Sequence, residues 1–331
     1  MKNYRALLIA LAVLFASTSV QAQEPSEGFI VTPDKVRIFY KIEGSGAETL
    51  VAVHGGPGNS SESIRPDLEP LAKGRRVIYY DQRSQGRSEL IKDVKRLGYE
   101  QHVADLDAVR QHFKLDKVTL LGNSWGGLLI SLYAIKHPDR VERMVLHDAA
   151  PPALGFLIDM QDEIARRMKI QYTAEQRQRY RFVSTPDNWL KASDPVAICR
   201  EFATLILGTY TYTRTLNFRF KGDICAGGKE SVGQSRIVNN EAWRSLGDFN
   251  LVPKLGVVKA PVLVVHGTAD VIPQRASELW AAGYPNGRLL LIEKAGHMPH
   301  LETPDIFFPA VETFLKGSFP EGAKKIDPPV S

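Results

Sequence analysis

The stretch from Val118 to Ile130 constrains this chain more than any other. Val118, Thr119, Leu120 and Leu121 are apolar or β-branched and predict a buried strand. Gly122-Asn123-Ser124-Trp125-Gly126 follows as a Gly-x-Ser-x-Gly pattern, and Leu128, Leu129, Ser131, Leu132 and Tyr133 then read as a helical run. Strand, turn and helix in that order set such a serine at a nucleophile elbow. The turn is tight enough that only glycine fits on either side, and it holds the serine strained with its Oγ projecting clear. It also puts the backbone N–H of Trp125 at a helix N-terminus, where it can donate to an oxyanion. The competing reading is a glycine turn with an idle serine.

A serine hydroxyl is a poor nucleophile until a histidine takes its proton and a carboxylate fixes that histidine's tautomer. Those partners are expected on loops after later strands, in the order serine, acid, histidine. Residues 261–266 read as a buried strand followed by Gly267-Thr268-Ala269-Asp270, which places Asp270 there. Residues 288–292 form the next, followed by Glu293-Lys294-Ala295-Gly296-His297, which places His297 there. Read singly, Asp270 is a turn aspartate and His297 a capping histidine; behind two successive strands they complete a triad with Ser124. Glu293 is the alternative acid, but it lies too close in sequence to His297 to orient it well. His300 is read as structural.

The second oxyanion donor is expected in the loop after the apolar strand at 49–54, His54-Gly55-Gly56-Pro57-Gly58, with Gly56 the choice. His54 is read as bracing that loop. No metal site is expected, because the eight histidines are dispersed and the cysteines lack a CxxC spacing. No GxGxxG or P-loop accompanies a strand–helix unit, so no cofactor is expected.

Around these motifs, apolar strands alternate with helices: a hairpin from 29–32 and 36–42, strands at 76–80 and 141–146, helices at 102–113 and 306–315. That texture predicts an α/β fold with a mainly parallel, eight-stranded sheet covered on both faces. From 151 to 251 the strand runs disappear and helix-like patches at 158–170 and 195–207 take over, which reads as a helical cap inserted into a core of residues 23–150 and 252–319. Residues 320–331 read as a frayed polar tail.

The first 22 residues differ from the rest. Lys2 and Arg5 precede an apolar run, and Val20-Gln21-Ala22 ends it in a small-residue cleavage pattern. This reads as a secretory signal peptide cut after Ala22, with an uncleaved anchor as the alternative. The mature protein is then exported, periplasmic or secreted, with no stable membrane anchor. Export bears on Cys199 and Cys225, the two cysteines. In an oxidising compartment they would close a loop of about 25 residues worth on the order of 3 kcal/mol; two buried thiols are the alternative. Charge adds little: +5 over the 331 residues, +3 after cleavage, with no basic tract arguing for nucleic acid. Oligomeric state is not legible.

The assembled motifs resemble the α/β-hydrolase superfamily over nearly all of residues 28–317. More narrowly, His54-Gly55-Gly56-Pro57-Gly58 together with Asp81-Gln82-Arg83-Ser84-Gln85-Gly86-Arg87-Ser88 is similar to the prolyl aminopeptidase (proline iminopeptidase) family. That family usually carries Gly where Ser84 stands and commonly Gly where Asn123 stands. The resemblance implies removal of N-terminal residues, preferring proline, with a small peptide as substrate and cap glutamates binding its free amine. Glu241, Glu201 and Glu230 are the candidates for that role, Glu241 first. The alternative is a carboxylesterase or lactonase using the same triad on a small ester; epoxide hydrolases and haloalkane dehalogenases carry aspartate at the elbow, so Ser124 counts against them.

Overall fold

The computed structural model describes residues 26–213 and 220–328; the expected signal peptide lies outside them. Eight strands form one sheet among the described residues: β1 (Glu27–Val31), β2 (Arg37–Glu43), β3 (Thr49–Val53), β4 (Arg76–Tyr80), β5 (Val118–Asn123), β6 (Val141–His147), β7 (Val262–Gly267) and β8 (Gly287–Ile292), in the order β1-β2-β4-β3-β5-β6-β7-β8. β1 and β2 pair antiparallel, as does β2 with β4, and every pairing from β4 to β8 is parallel. The expected α/β fold with an eight-stranded, mainly parallel sheet is present.

Alternation along the strands explains how both faces are covered. On β3, Val51 and Val53 pack on one side with α1 (Tyr99–His112), α2 (Trp125–Lys136) and Trp280 of α8 (Gln274–Gly283). Leu50 and Ala52 pack on the other with Phe307, Val311 and Phe314 of the C-terminal helix, residues 304–315. A strand buried on both faces cannot afford polar residues at either register, hence the nearly unbroken apolar runs.

Among the described residues, five α-helices lie between β6 and β7: α3 (Leu154–Gln171), α4 (Ala174–Val183), α5 (Pro186–Lys191), α6 (Pro195–Tyr210) and α7 (Lys229–Leu246). The two ends of this excursion clasp each other through an antiparallel bridge between Ala153 and Asn250, and Leu251 N donates to Pro152 O at 2.9 Å. Cys199 of α6 is disulfide-bonded to Cys225, with S–S 2.04 Å, beside buried Trp189 and Val232. No described helix is long and apolar enough to cross a membrane.

The tail departs from expectation. Lys324 exchanges two backbone hydrogen bonds with Leu289 at 2.8 and 2.9 Å, and Phe319 packs against Phe314 at 5.2 Å between ring centroids. Composition made residues 320–328 look frayed, but they complete the otherwise open edge of β8.

Candidate active site

Ser124 sits between β5 and α2 with φ 54° and ψ −121°. Two close approaches fix this turn. A Cβ on Gly126 would stand 2.2 Å from Val53 O, and one on Gly122 would stand 2.4 Å from Gly126 O. Both contacts are with backbone, so neither position accepts a side chain without moving a strand. Ser124 O accepts from Gly127 N and Ala150 N, each at 2.9 Å, and Ser124 N donates to His147 O at 3.0 Å. The elbow is thus held from three sides while Ser124 lines the pocket between core and cap.

Asp270 and His297 come together from the loops after β7 and β8. His297 Nδ1 lies 2.8 Å from Asp270 Oδ2, and Asp270 Oδ1 accepts from Ile272 N at 3.2 Å. Burial pushes the Asp270 carboxyl up, but the facing His297 outweighs it and holds the group below the usual carboxylate range. With Nδ1–H donated to Asp270, Nε2 is the ring atom left to act on a serine. His297 lines the same pocket as Ser124. Glu293 is elsewhere: its carboxylate accepts from Thr268 Oγ1 at 3.3 Å on the exposed side of the loop.

The cap grips these loops. His297 N donates to Tyr210 O at 2.8 Å, and the Tyr210 and His297 rings meet edge to face at 4.9 Å. Arg167 of α3 donates to Asp270 O at 2.9 Å and to Thr209 O at 2.8 Å, tying the acid's backbone to the end of α6. Neither contact had a sequence signal, because a helical pattern states which face is apolar and not what it meets.

The residues expected to supply oxyanion donors lie at Ser124's turn and in the loop after β3. Gly56, with φ 121°, lines the pocket, and Trp125 opens α2, where first-turn N–H groups have no intrahelical acceptor. The Asp81–Ser88 motif supports both from behind. Gln82 Oε1 accepts from Trp125 Nε1 at 2.9 Å, Gln82 N donates to His54 Nε2 at 3.2 Å, and Gln82 Nε2 donates to His54 O at 3.0 Å. His54 Nδ1 lies 2.9 Å from Gly55 O, which makes His54 the loop brace it was read to be. Arg83 is buried and forked onto Asp105 at 2.6 and 2.8 Å, pinning the same loop to α1. Ser84 takes φ 60°, a conformation that favours glycine and so accounts for the glycine usual there in the resembled family.

A second buried layer was not legible in the sequence. Asp148, at φ 43°, ends β6 and accepts from Gly267 N at 2.9 Å. Burial, with the Asp270 carboxylate beside it, pushes its carboxyl well up. His300 Nδ1 meets His147 Nε2 at 3.2 Å, and burial holds His300 down to about 3. Asp148, His266 and Asp270 bring ligand atoms within 4.8 Å of one another, the geometry of a cation site. Asp270 is engaged by His297 and Ile272 N, and His266 Nδ1 meets Ser277 Oγ at 3.0 Å, so the cluster reads as support for the relay.

The three glutamates suggested for an amine lie outside the pocket. Glu201 is forked onto Arg179 at 2.6 and 2.8 Å, Glu241 pairs with Arg244, and Glu230 is exposed in the first turn of α7. Helix geometry gives the reason: α7 presents Ser235, Arg236 and Asn239 to the pocket, and Glu241 is about 140° around the helix from Arg236. Among the described residues no Asp or Glu lines the pocket. Ser235 Oγ donates to Gly58 O at 2.6 Å and Asn239 Nδ2 to Pro57 O at 2.9 Å, fastening α7 to the oxyanion loop.

Comparison with known proteins fits this arrangement. The profile of the alpha/beta hydrolase fold matches residues 48–304. A proline iminopeptidase of Lactobacillus helveticus is 30% identical over 288 residues, which cover 84% of this chain and 93% of the relative. The solved proline iminopeptidase of Mycobacterium smegmatis superposes with a TM-score of 0.63 at 21% identity, over 88% of this chain and 98% of that one. An esterase from Exiguobacterium antarcticum superposes with a TM-score of 0.60 at 22% identity, over 87% and 99%.

Proposed function

Because the chain belongs to the alpha/beta hydrolase fold family and is a hydrolase of prolyl-aminopeptidase type, we propose that it cleaves small acyl compounds through a covalent intermediate on Ser124. The observation that carries this is the 2.8 Å contact between His297 Nδ1 and Asp270 Oδ2 at the wall of the pocket that Ser124 enters on a strained elbow. Ser124 Oγ attacks the carbonyl carbon as His297 Nε2 takes its proton, and Asp270 stabilises the imidazolium. The N–H groups of Gly56 and Trp125 hold the tetrahedral oxyanion, a contribution of about 3 kcal/mol for each donor. His297 then gives its proton to the leaving nitrogen or oxygen, and water, deprotonated by the same imidazole, releases the acyl group.

The leading substrate is a peptide with proline at its N-terminus, supported by the iminopeptidase relatives. One observation favours a second reading, hydrolysis of esters or lactones: the described pocket wall has no carboxylate to meet an ammonium group. A panel of proline p-nitroanilide, its N-blocked counterpart and short 4-nitrophenyl esters, run on wild type and Ser124→Ala, separates the two. The aminopeptidase reading expects turnover of the free-amine arylamide alone. Equal rates on blocked and free substrates, or turnover of esters only, would move the assignment to the second. Export belongs to the proposal as well: the mature protein is expected to begin at Gln23, read by N-terminal sequencing of the exported product.

A further inference from the structure

We infer that Arg236 is a substrate-binding residue that receives a carboxylate carried by the substrate. The inference rests on the reading that acyl transfer occurs at Ser124, and it adds the class of compound that enters. Apart from histidines, Arg236 is the one charged side chain lining the catalytic pocket among the described residues. Its Nε is enclosed and meets no hydrogen-bond acceptor, and no described Asp or Glu forms an ion pair with it.

The buried arginines among the described residues are treated differently. Arg83 is forked onto Asp105, Arg75 onto Glu312, and Arg167 meets Glu163 at 2.7 Å. A guanidinium withdrawn from water is costly unless an anion meets it; these three have one, and the half-buried Arg236 at the pocket wall has none among the described residues. What Arg236 has instead is an aromatic shelf. Its Cζ lies 5.0 Å from the centroid of the Phe202 ring, which stacks on Tyr180. A shelf of this kind orients the planar fork and leaves its edge donors for a ligand. Burial draws the group below the ordinary arginine value, and the Tyr180 and Tyr210 hydroxyls offset this in part.

Position supports the same conclusion. Ser235 and Asn239, on the same face of α7, bond to Gly58 O and Pro57 O, so the guanidinium is held in fixed relation to the oxyanion loop. The wall beside it is apolar at Ile206, Leu207 and Ile224. One fork in an apolar wall suits a monoanionic carboxylate, which it binds through two parallel N–H···O bonds, better than a phosphate needing several donors.

The carboxylate can belong to the acyl group or to the leaving group, and two matched pairs distinguish them. Mono-4-nitrophenyl adipate against 4-nitrophenyl hexanoate varies the acyl side; the dipeptide Pro-Ala against its C-terminal amide varies the leaving side. In wild type the acid member of one pair is expected to exceed its neutral partner in kcat/KM by about tenfold to a hundredfold. That ratio falls toward one in Arg236→Gln and is partly retained in Arg236→Lys. Ratios within about twofold of one for both pairs in wild type, or a ratio that survives Arg236→Gln, overturn the inference. Should Arg236→Gln fail to fold, inhibition of wild type decides: adipate competes with the neutral ester and 1,6-hexanediol does not, and equal behaviour of the two refutes the proposal. Absence of turnover on all four compounds, with no covalent labelling of Ser124, instead removes the acyl-transfer reading on which the inference stands.

Discussion

Ser124 owes its conformation to two neighbours that have no side chain, and His297 owes its tautomer to one carboxylate oxygen 2.8 Å away. Ser124 follows β5 directly and His297 lies on the loop that follows β8, which is why both were legible: a buried apolar run fixes where a chain leaves the sheet, and the polar residues of the loop beyond it gather at that edge. The choice between Asp270 and Glu293 was not settled by spacing alone. The fold sets Asp270 Oδ2 against His297 Nδ1 and turns the Glu293 carboxylate to Thr268 and the exposed side, which favours Asp270. Asp270→Asn is therefore expected to lower kcat by about ten-thousand-fold with the fold intact, since an amide stabilises the wrong tautomer. Glu293→Gln is expected to stay within about threefold of wild type. Steady-state kinetics on any turned-over substrate checks both, and similar losses from the two variants would refute the assignment of the acid.

At the scale of elements, the cap is where sequence reasoning ran out. The helical patches at 158–170 and 195–207 correctly announced α3 and α6, yet nothing in them said that Arg167 would reach Asp270 O or that Tyr210 would hold His297 N. That the three glutamates lie outside the pocket has the same cause. Which residues of α7 face the pocket depends on the helix's rotation, and that is set by Cys199, Trp189 and the oxyanion loop, all distant in sequence. Ala153 pairing with Asn250, and Lys324 with Leu289, are likewise long-range bonds without a local signature. The disulfide has a measurable share in this arrangement. It spans a sequence separation of 26 and restricts the unfolded chain, so Cys199→Ser with Cys225→Ser is expected to cost on the order of 3 kcal/mol. Denaturant titration with and without reductant reads it. An unchanged wild-type midpoint under complete reduction would contradict the role assigned to the bridge.

For the whole molecule, buried histidines make stability depend on acidity. Burial holds His300 down to about 3, against an ordinary value near 6.5 in the unfolded chain. Between those limits the unfolded chain binds a proton that the folded one excludes. The stabilisation is therefore complete above pH ~6.5 and is lost as pH falls toward ~3, at up to about 1.4 kcal/mol per pH unit. Asp105, pushed up to about 6 by burial, acts in the opposite sense, so the difference between wild type and a variant isolates the histidine. The destabilisation caused by His300→Gln is expected to shrink as pH is lowered from 7 to 4. A gap that stays constant or widens would contradict a neutral buried His300. The same folded architecture brings Ser124 and His297 to one pocket and sets Asp270 against His297 Nδ1, and mass spectrometry after treatment with a fluorophosphonate tests the proposed convergence most directly. The account expects one phosphonyl group on Ser124 in the wild type and none at that position in His297→Ala. A folded wild type that takes no label, or takes it at another residue, would contradict it.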